Sequence, residues 1–406
     1  ESEPVAKEET VSAKASKAAA AGQMDLFGGL VSEKPLAVTE TTLESKQNIY
    51  STIHQYHAVD TPELRQNLVH FLSLQEAICF DTETTSVDAV EAELVGLAFA
   101  YRKGEAFYVP VPADQAQAQA IVDEFRPVLE NENIEKIAQN IKYDLMVLQR
   151  YGLTVKGKLY DTMLAHYLIE PEKRHNMDIL AEDYLNYTPV SIEELIGKKG
   201  AKQGNMRDVE LEKIKEYAAE DADITLQLKD RLHPILAENA GAVKLFEEVE
   251  MPLTQVLADI EMEGVRIDTE FLGNMSKELE TDMRIVQDRV FELAGVEFNI
   301  GSPKQLGDVL FDILKLDAKA KKTKTGQYAT GEDVLQKMAA KHKIVDDILN
   351  FRELTKLKST YVDSFPELIN PKTGRVHTSY AQAVAVTGRL SITNTNLQNI
   401  TIRTER

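Results

Sequence analysis

The sequence predicts a mixed α/β layer domain followed by an elongated, mostly α-helical region. Three observations lead there. Strand-like runs at residues 77–81, 94–101 and 106–111 are separated by two short, turn-like connections, the pattern of a meander. Helical and strand-like segments then alternate, as in a mixed α/β layer. From about Gly241 onwards only helical patterns follow, until the last forty or so residues turn extended and polar.

Residues 1–46 are rich in Ala, Lys, Glu and Ser. Outside Met24-Asp25-Leu26-Phe27 they hold few apolar side chains, so a disordered linker is expected, with that island as a candidate docking peptide. Residues 50–74 read as a lead-in with one helix, started by Thr61-Pro62. Ala77-Ile78-Cys79-Phe80 has the unbroken apolar composition of a strand buried on both faces. A helix is expected at 114–130, then a strand at 136–139 running into a helix at 140–151. Further helical patterns fill 161–170, 177–186 and 209–232. Two long helices, 243–263 and 269–294, are broken at Gly264 and Gly295, and shorter ones follow at 303–314, 331–340 and 343–358. These shifts divide the chain into a linker (1–46), an α/β domain (47–236), a helical region (237–369) and a final extended stretch (370–406).

Composition narrows the function classes. The 406 residues, 43% of them apolar, suffice for two or three domains with real cores. The single cysteine, Cys79, cannot form an internal disulfide, so a reducing compartment is expected. The sequence holds no apolar run of about 18 residues, so no membrane-spanning segment is expected, and no signal peptide opens the chain. Because it begins at Glu1, it reads as a piece of a longer protein. A net charge of -20 by itself argues against a nucleic-acid partner, which requires phosphate neutralisation. The average conceals a cluster at Lys319, Lys321, Lys322 and Lys324, and a tail from Asn370 in which five cations face one anion. Walker-type phosphate loops, Cys/His zinc spacings and Gly-x-Ser-x-Gly elbows do not occur in it.

The carboxylates are more informative. Residues two apart on a strand point the same way, so Asp81 and Glu83 share a face at the end of the first apolar strand. Paired there they repel each other and are costly to desolvate, a cost that a hard divalent cation removes. A polar strand end facing water is the alternative. On the helix 140–151, Ile141, Asp144, Leu148 and Tyr151 lie on one stripe. On 209–232 the stripe is Ile214, Tyr217, Asp221, Ile224 and Leu228. Two aspartates on packed faces are capping or ion-paired residues, or metal ligands. Four acids and a phenol in one domain point to a two-metal hydrolytic site.

Those residues also carry a resemblance. Phe80-Asp81-Thr82-Glu83-Thr84, Gln139-Asn140-Ile141-Lys142-Tyr143-Asp144 and Tyr217-Ala218-Ala219-Glu220-Asp221-Ala222-Asp223 resemble the three motifs of the DEDD-type 3'-5' exonucleases. Tyr217, four residues before Asp221, marks the tyrosine subclass. Glu250-Met251-Pro252-Leu253, Glu263-Gly264-Val265-Arg266-Ile267-Asp268, Ser302-Pro303-Lys304-Gln305-Leu306, Lys321-Lys322-Thr323-Lys324-Thr325-Gly326 and Leu357-Lys358-Ser359-Thr360-Tyr361 resemble the thumb of bacterial family A DNA polymerases. The stretch from Asn370 to Tyr380, Thr387-Gly388-Arg389-Leu390-Ser391 and Asn396-Leu397-Gln398-Asn399-Ile400 resemble the entry to that family's palm.

The resemblance implies an RNase H-like mixed-sheet exonuclease domain, a helical thumb and an incomplete start of a palm, without the polymerase catalytic motifs. It implies two Mg2+ or Mn2+ ions, with Zn2+ an alternative at the first site. Asp81 would bridge the ions, Glu83 and Asp221 would complete the first, and Asp144 would serve the second through water. Tyr217 would orient the attacking water, and 5'-mononucleotides would leave single-stranded or frayed DNA 3' ends. Thr84, Val87, Gln139, Asn140, Tyr143 and Ile192 would hold the substrate strand. Lys321, Lys322, Lys324 and Arg389 would meet a primer-template duplex. A monomer in the bacterial cytoplasm, near the nucleoid and away from membranes, is expected. Ala381, Ile392, Thr395 and Thr401 depart from the family pattern, and Ile192 stands where an aromatic is usual. An inert DNA-binding scaffold, or an RNA exonuclease of the same fold, are the alternatives. The four acids argue against the first and the thumb-like segments against the second.

Overall fold

The computed structural model describes residues 46–393. The linker reading of residues 1–45, the Met24–Phe27 island, and the readings of Thr395, Asn396–Ile400 and Thr401 lie outside these residues.

A six-stranded mixed sheet organises the first half. Strand β1 (Gln55–Ala58) is followed by helix α1 (Pro62–Ser73), whose N-terminus is capped by Thr61 accepting from the Leu64 amide, with Pro62 in the first turn. The expected meander follows as β2 (Ala77–Thr84), β3 (Leu94–Arg102) and β4 (Glu105–Pro110), paired antiparallel in sequence. After α2 (Gln115–Leu129) come β5 (Glu135–Ala138), α3 (Ile141–Gln149), β6 (Leu159–Asp161), α4 (Thr162–Ile169), α5 (Met177–Leu185), α6 (Ile192–Ile196) and the long α7 (Leu211–Ala237). The sheet order is β1-β4-β3-β2-β5-β6, so β2 is interior, with antiparallel β3 on one side and parallel β5 on the other. Sequence reading missed β1 and β6. Four and three residues are too short to show a period, and each is a strand only because it pairs in parallel with a longer neighbour.

Alternation along β2 divides its side chains between two layers. Phe80 and Thr82 face one side, on which the ring of Phe99 stacks at 5.0 Å on Phe125 of α2. Asp81 and Glu83 face the other, which α7 covers. On that second face Gly96 lies opposite Glu83 in the ladder, and the Tyr108 ring lies directly over it. A Cβ at Gly96 would come within 2.2–2.4 Å of the Tyr108 ring and hydroxyl. Gly96 is therefore required by close approach, and it lets Tyr108 seal the sheet beside Glu83.

The second half is helical. Helix α8 (Ala240–Leu245) continues through a π-helical turn (Phe246–Glu250) into α9 (Met251–Glu263). Gly264 ends α9 at φ +66, where a Cβ would also strike the His377 ring. Helix α10 (Thr269–Ala294) follows, capped by Asp268, and then α11 (Pro303–Gly307), α12 (Glu332–Ala339) and α13 (Lys343–Lys356). Val290, Leu310, Leu335, Val345 and Ile348 form the core of this region. The two long helices break where the glycines predict. The expected helix at 303–314 is instead α11 with a π-helical turn (Asp308–Ile313), and a further π-helical turn (Leu357–Val362) extends α13. Among the described residues no helix is long and apolar enough to cross a membrane.

The chain then returns to the α/β part. Val265 and Val376 bridge through paired backbone hydrogen bonds of 2.8 and 2.9 Å. The amide of Gln382, a buried side chain, donates to the Glu250 carboxylate at 2.7 Å and accepts from Thr254 at 3.1 Å. Tyr167 of α4 donates to the Ala385 carbonyl at 2.8 Å. A short hairpin of β7 (Ser379–Ala381) and β8 (Ser391–Thr393) completes the described chain, with Ile392 opposite Tyr380 and Ala381 opposite Ser391.

Replacing Gly96 with Ala is expected to lower stability by about 1–3 kcal/mol, the usual range for overpacking. Urea unfolding monitored by circular dichroism measures it; a variant as stable as the parent would show that Tyr108 yields freely.

Candidate metal centre

Two elements far apart in sequence build the site. Strand β2 presents Asp81 and Glu83 on one face, and α7 brings Asp221 against them. One carboxylate oxygen from each of the three lies within 4.8 Å of the others. Glu83 is buried, whereas Asp81 and Asp221 are partly open at the mouth. Tyr217, one turn before Asp221 on α7, lies close enough to the Asp221 carboxylate for that charge to act on its phenol. Asp144 of α3 approaches from the other side of β2, buried. Its Oδ1 accepts from the Thr82 amide at 3.0 Å and from the Thr82 hydroxyl at 2.6 Å. It stands beside the three converging oxygens rather than among them, close enough for its charge to act on Glu83.

The electrostatics run against ionisation. Burial pushes the Asp81 carboxyl up to about 6, partly offset by the Thr82 amide. Burial, followed by the charges of Asp81 and Asp144, raises Glu83 well above the carboxylate range. Burial and the charge of Asp81 raise Asp144, and burial with Asp81 and Glu83 raises Asp221. Among the described residues none of the four carboxylates is in an ion pair. Asp221 Oδ1 is buried with no hydrogen-bond partner. Hard oxygen donors, negative charge in excess and an orphaned carboxylate oxygen fit a divalent cation, which would provide the missing partner. Burial and these same acids hold the Tyr217 phenol well above its usual value, so it is neutral at pH 7.

The surrounding residues separate into tied and free groups. The Tyr143 hydroxyl contacts the Ser86 carbonyl and the Thr84 hydroxyl, both at 2.5 Å, linking α3 to the end of β2. Gln139 is committed at both ends: its amide donates to the His175 carbonyl at 2.7 Å and accepts from Thr162. Asn140 joins β5 to α3 in the left-handed region at φ 58, a conformation asparagine tolerates. Val87 is almost fully exposed, and Ile192 at the start of α6 is also exposed. Val87, Asn140 and Tyr143 line a cleft of about 470 Å³ that also borders Tyr380 and Ala381. Lys321, Lys322 and Lys324 lie exposed on the loop before α12, with the Lys322 ammonium 4.4 Å over the Tyr328 ring. Arg389 is exposed in the loop between β7 and β8.

One acid central to this architecture escaped the sequence reading. Asp161, at the end of β6, accepts from the amides of Asn140 and Ile141 at 3.0 Å each, and of Met163 at 2.8 Å. A single buried carboxylate thus caps both α3 and α4. Burial raises it to about 6, against the pull of those amides. Its position just before Thr162 at a helix start was the available signal.

Comparison with known proteins gives this geometry its class: residues 56–237 match the 3'-5' exonuclease family, and residues 269–406 match DNA polymerase family A. The chain belongs to the family A DNA polymerases, and its α/β part is their 3'-5' exonuclease domain. Among curated relatives, DNA polymerase I of Pseudomonas aeruginosa is 44% identical over 339 residues, covering 81% of this chain and 37% of its own length. DNA polymerase I of a Synechocystis strain is 37% identical over 393 residues, covering 94% of this chain and 39% of its own length. The chain therefore spans under two-fifths of these relatives. A solved structure, the POL domain of Pol1 from M. smegmatis in complex with DNA primer-template and dNTP, superposes with a TM-score of 0.69 at 30% identity. It covers 86% of this chain and 56% of that one.

The raised carboxyls make a signed prediction about metal-free protein. A folded value above the unfolded one adds stability at low pH, fully present below about 4 and lost as pH rises through about 6 for Asp81. The other three extend that loss upward. In EDTA, the thermal midpoint of the parent is expected to fall between pH 5 and 8 more than that of Asp221→Asn. The variant should be the more stable at pH 8, and excess Mg2+ or Mn2+ should raise only the parent. An Asp221→Asn variant less stable than the parent at pH 8 in EDTA would contradict this account.

Proposed function

We propose that residues 47–236 form a metal-dependent 3'-5' exonuclease domain that hydrolyses the terminal phosphodiester of single-stranded or frayed DNA 3' ends, releasing 5'-mononucleotides. The observation that carries this reading is the convergence of Asp81, Glu83 and Asp221 oxygens within 4.8 Å, with an orphaned Asp221 oxygen and, among the described residues, no cationic side chain paired to them. Residues 237–369 would act as a thumb and 370–406 as the entry to a palm. The match to a polymerase solved with DNA primer-template supports a DNA partner, and we take the acting form to be a monomer.

Asp81, Glu83 and Asp221 would hold one Mg2+ or Mn2+ ion, or Zn2+, and Asp81 with Asp144 a second Mg2+ or Mn2+. Bound there, such ions supply Lewis-acid stabilisation of the phosphodiester and ease deprotonation of a water. The chain's own groups do the rest. Tyr217, kept neutral, orients a water by hydrogen bond and does not act as the base. Thr82 holds one oxygen of Asp144 to the strand, which sets where the other can point. Tyr143, tied to Thr84 and Ser86, gives the mouth a rigid wall. Val87 and Ile192 are free to press against the terminal bases, and the aliphatic Ile192 offers weaker stacking than an aromatic. Asn140 stands at the cleft edge as a strand contact, with Gln139 behind it. Lys321, Lys322, Lys324 and Arg389, all exposed, would meet duplex phosphates. Within these 406 residues no polymerase site is expected.

Asp81→Ala and Asp221→Ala are each expected to reduce Mg2+-dependent mononucleotide release by about 1,000-fold or more, the scale of losing several kcal/mol of charge stabilisation. Affinity for a single-stranded oligonucleotide in EDTA should persist. Full activity in both purified variants would overturn the proposal. The 406 residues should show no primer extension with dNTPs in the same preparation.

A further inference from the structure

A lysine two residues before Asp144 invites a simple reading, that it neutralises the phosphate being cut. The structure gives Lys142 a different occupation. Its side chain is largely buried, and its ammonium donates to the Glu261 carboxylate of α9 and to the Tyr380 carbonyl of β7. Glu261, itself buried, takes the Tyr380 amide on the same oxygen at 2.7 Å. The backbone carbonyl of Glu261 faces His377 Nδ1 at 2.7 Å. Thus two of the three ammonium donors are spent inside the protein, on groups more than a hundred residues away in sequence. Helix α3, which carries Lys142, Tyr143 and Asp144, packs along α9 at this point.

We infer that Lys142 is a positioning residue: through Glu261 and the Tyr380 backbone it sets α3, and with it Asp144 and Tyr143, against the helical region and the returning chain. This inference rests on the nuclease reading above. Its physical basis is the cost of leaving either partner alone. A buried carboxylate or ammonium that loses its partner is strongly destabilised, so α3 cannot shift along α9 without breaking the pair. The returning chain is held on α9 at Gln382 as well. The geometry of the acidic site therefore depends on residues 376–382, outside the domain that contains it.

A double-mutant cycle tests this on the 406-residue chain. Lys142→Met and Glu261→Gln are each expected to lower kcat on a single-stranded oligonucleotide by about tenfold, the scale of a sub-ångström misplacement. KM, the oligonucleotide Kd in EDTA, and the slope of log Kd against log salt should remain close to the parent's. The double variant should be no slower than either single, because one unit is being removed. It also leaves no buried charge unpaired, so it carries the test if Lys142→Met alone fails to fold. Three results would overturn the inference. Lys142→Met could weaken binding and reduce the salt slope while Glu261→Gln is silent, which would mark a phosphate ligand. The losses could multiply in the double variant. The folded double variant could match the parent. Asp81→Ala, run alongside, distinguishes the two levels: activity in that variant would remove the nuclease reading itself, whereas its inactivity beside any of the three results would remove only the role of Lys142.

Discussion

Buried carboxylates that repel one another set the terms for everything packed around them. Asp81, Glu83 and Asp221 cannot all ionise in a desolvated pocket without a cation, and among the described residues no side chain pairs with them to offer one. Folding must therefore hold together groups that electrostatics would separate. It does so by spending the apolar stability of an interior strand and a long helix, both packed over most of their length. Ile78, Cys79 and Phe80 immediately precede Asp81 and are fully buried, and Ile224 and Leu228 follow Asp221 on the same face of α7. The acids sit where two well-anchored elements end or cross, so local strain in the pocket does not dislodge either.

The same logic explains the polar groups around the pocket. Each element that touches it is pinned by a polar anchor of its own. Asp161 caps α3 and α4 together, and Thr82 fixes Asp144. Tyr143 ties α3 to the turn after β2. A cation bound to such a preorganised set would not need to organise it. Tyr217 stands close to the acids, and none of these hydrogen bonds ties down its phenol, which suits a group that must meet a water.

Helix α9 makes the pocket part of a larger unit. With the turn before it, it receives the returning chain at Glu250, Thr254 and Glu261, and it faces α3 through Lys142. The acidic site and the returning chain thereby share one helix as a common boundary.

Much of this was readable from the sequence. The three-strand meander, the helix beginning at Thr61-Pro62, the breaks at Gly264 and Gly295, and the packed stripes carrying Asp144 and Asp221 follow from periodicity and caps, which are local. So does the shared face of Asp81 and Glu83, because strand alternation needs no partner. The short strands β1 and β6, the double cap at Asp161, the tied state of Gln139 and the burial of Lys142 against Glu261 did not follow. Each is settled by a partner distant along the chain, and no local pattern records which partner that is. Residue order alone settles which acids are presented and on which faces; that three of them meet is set by how α7 crosses β2, a packing angle with no signature in residue order.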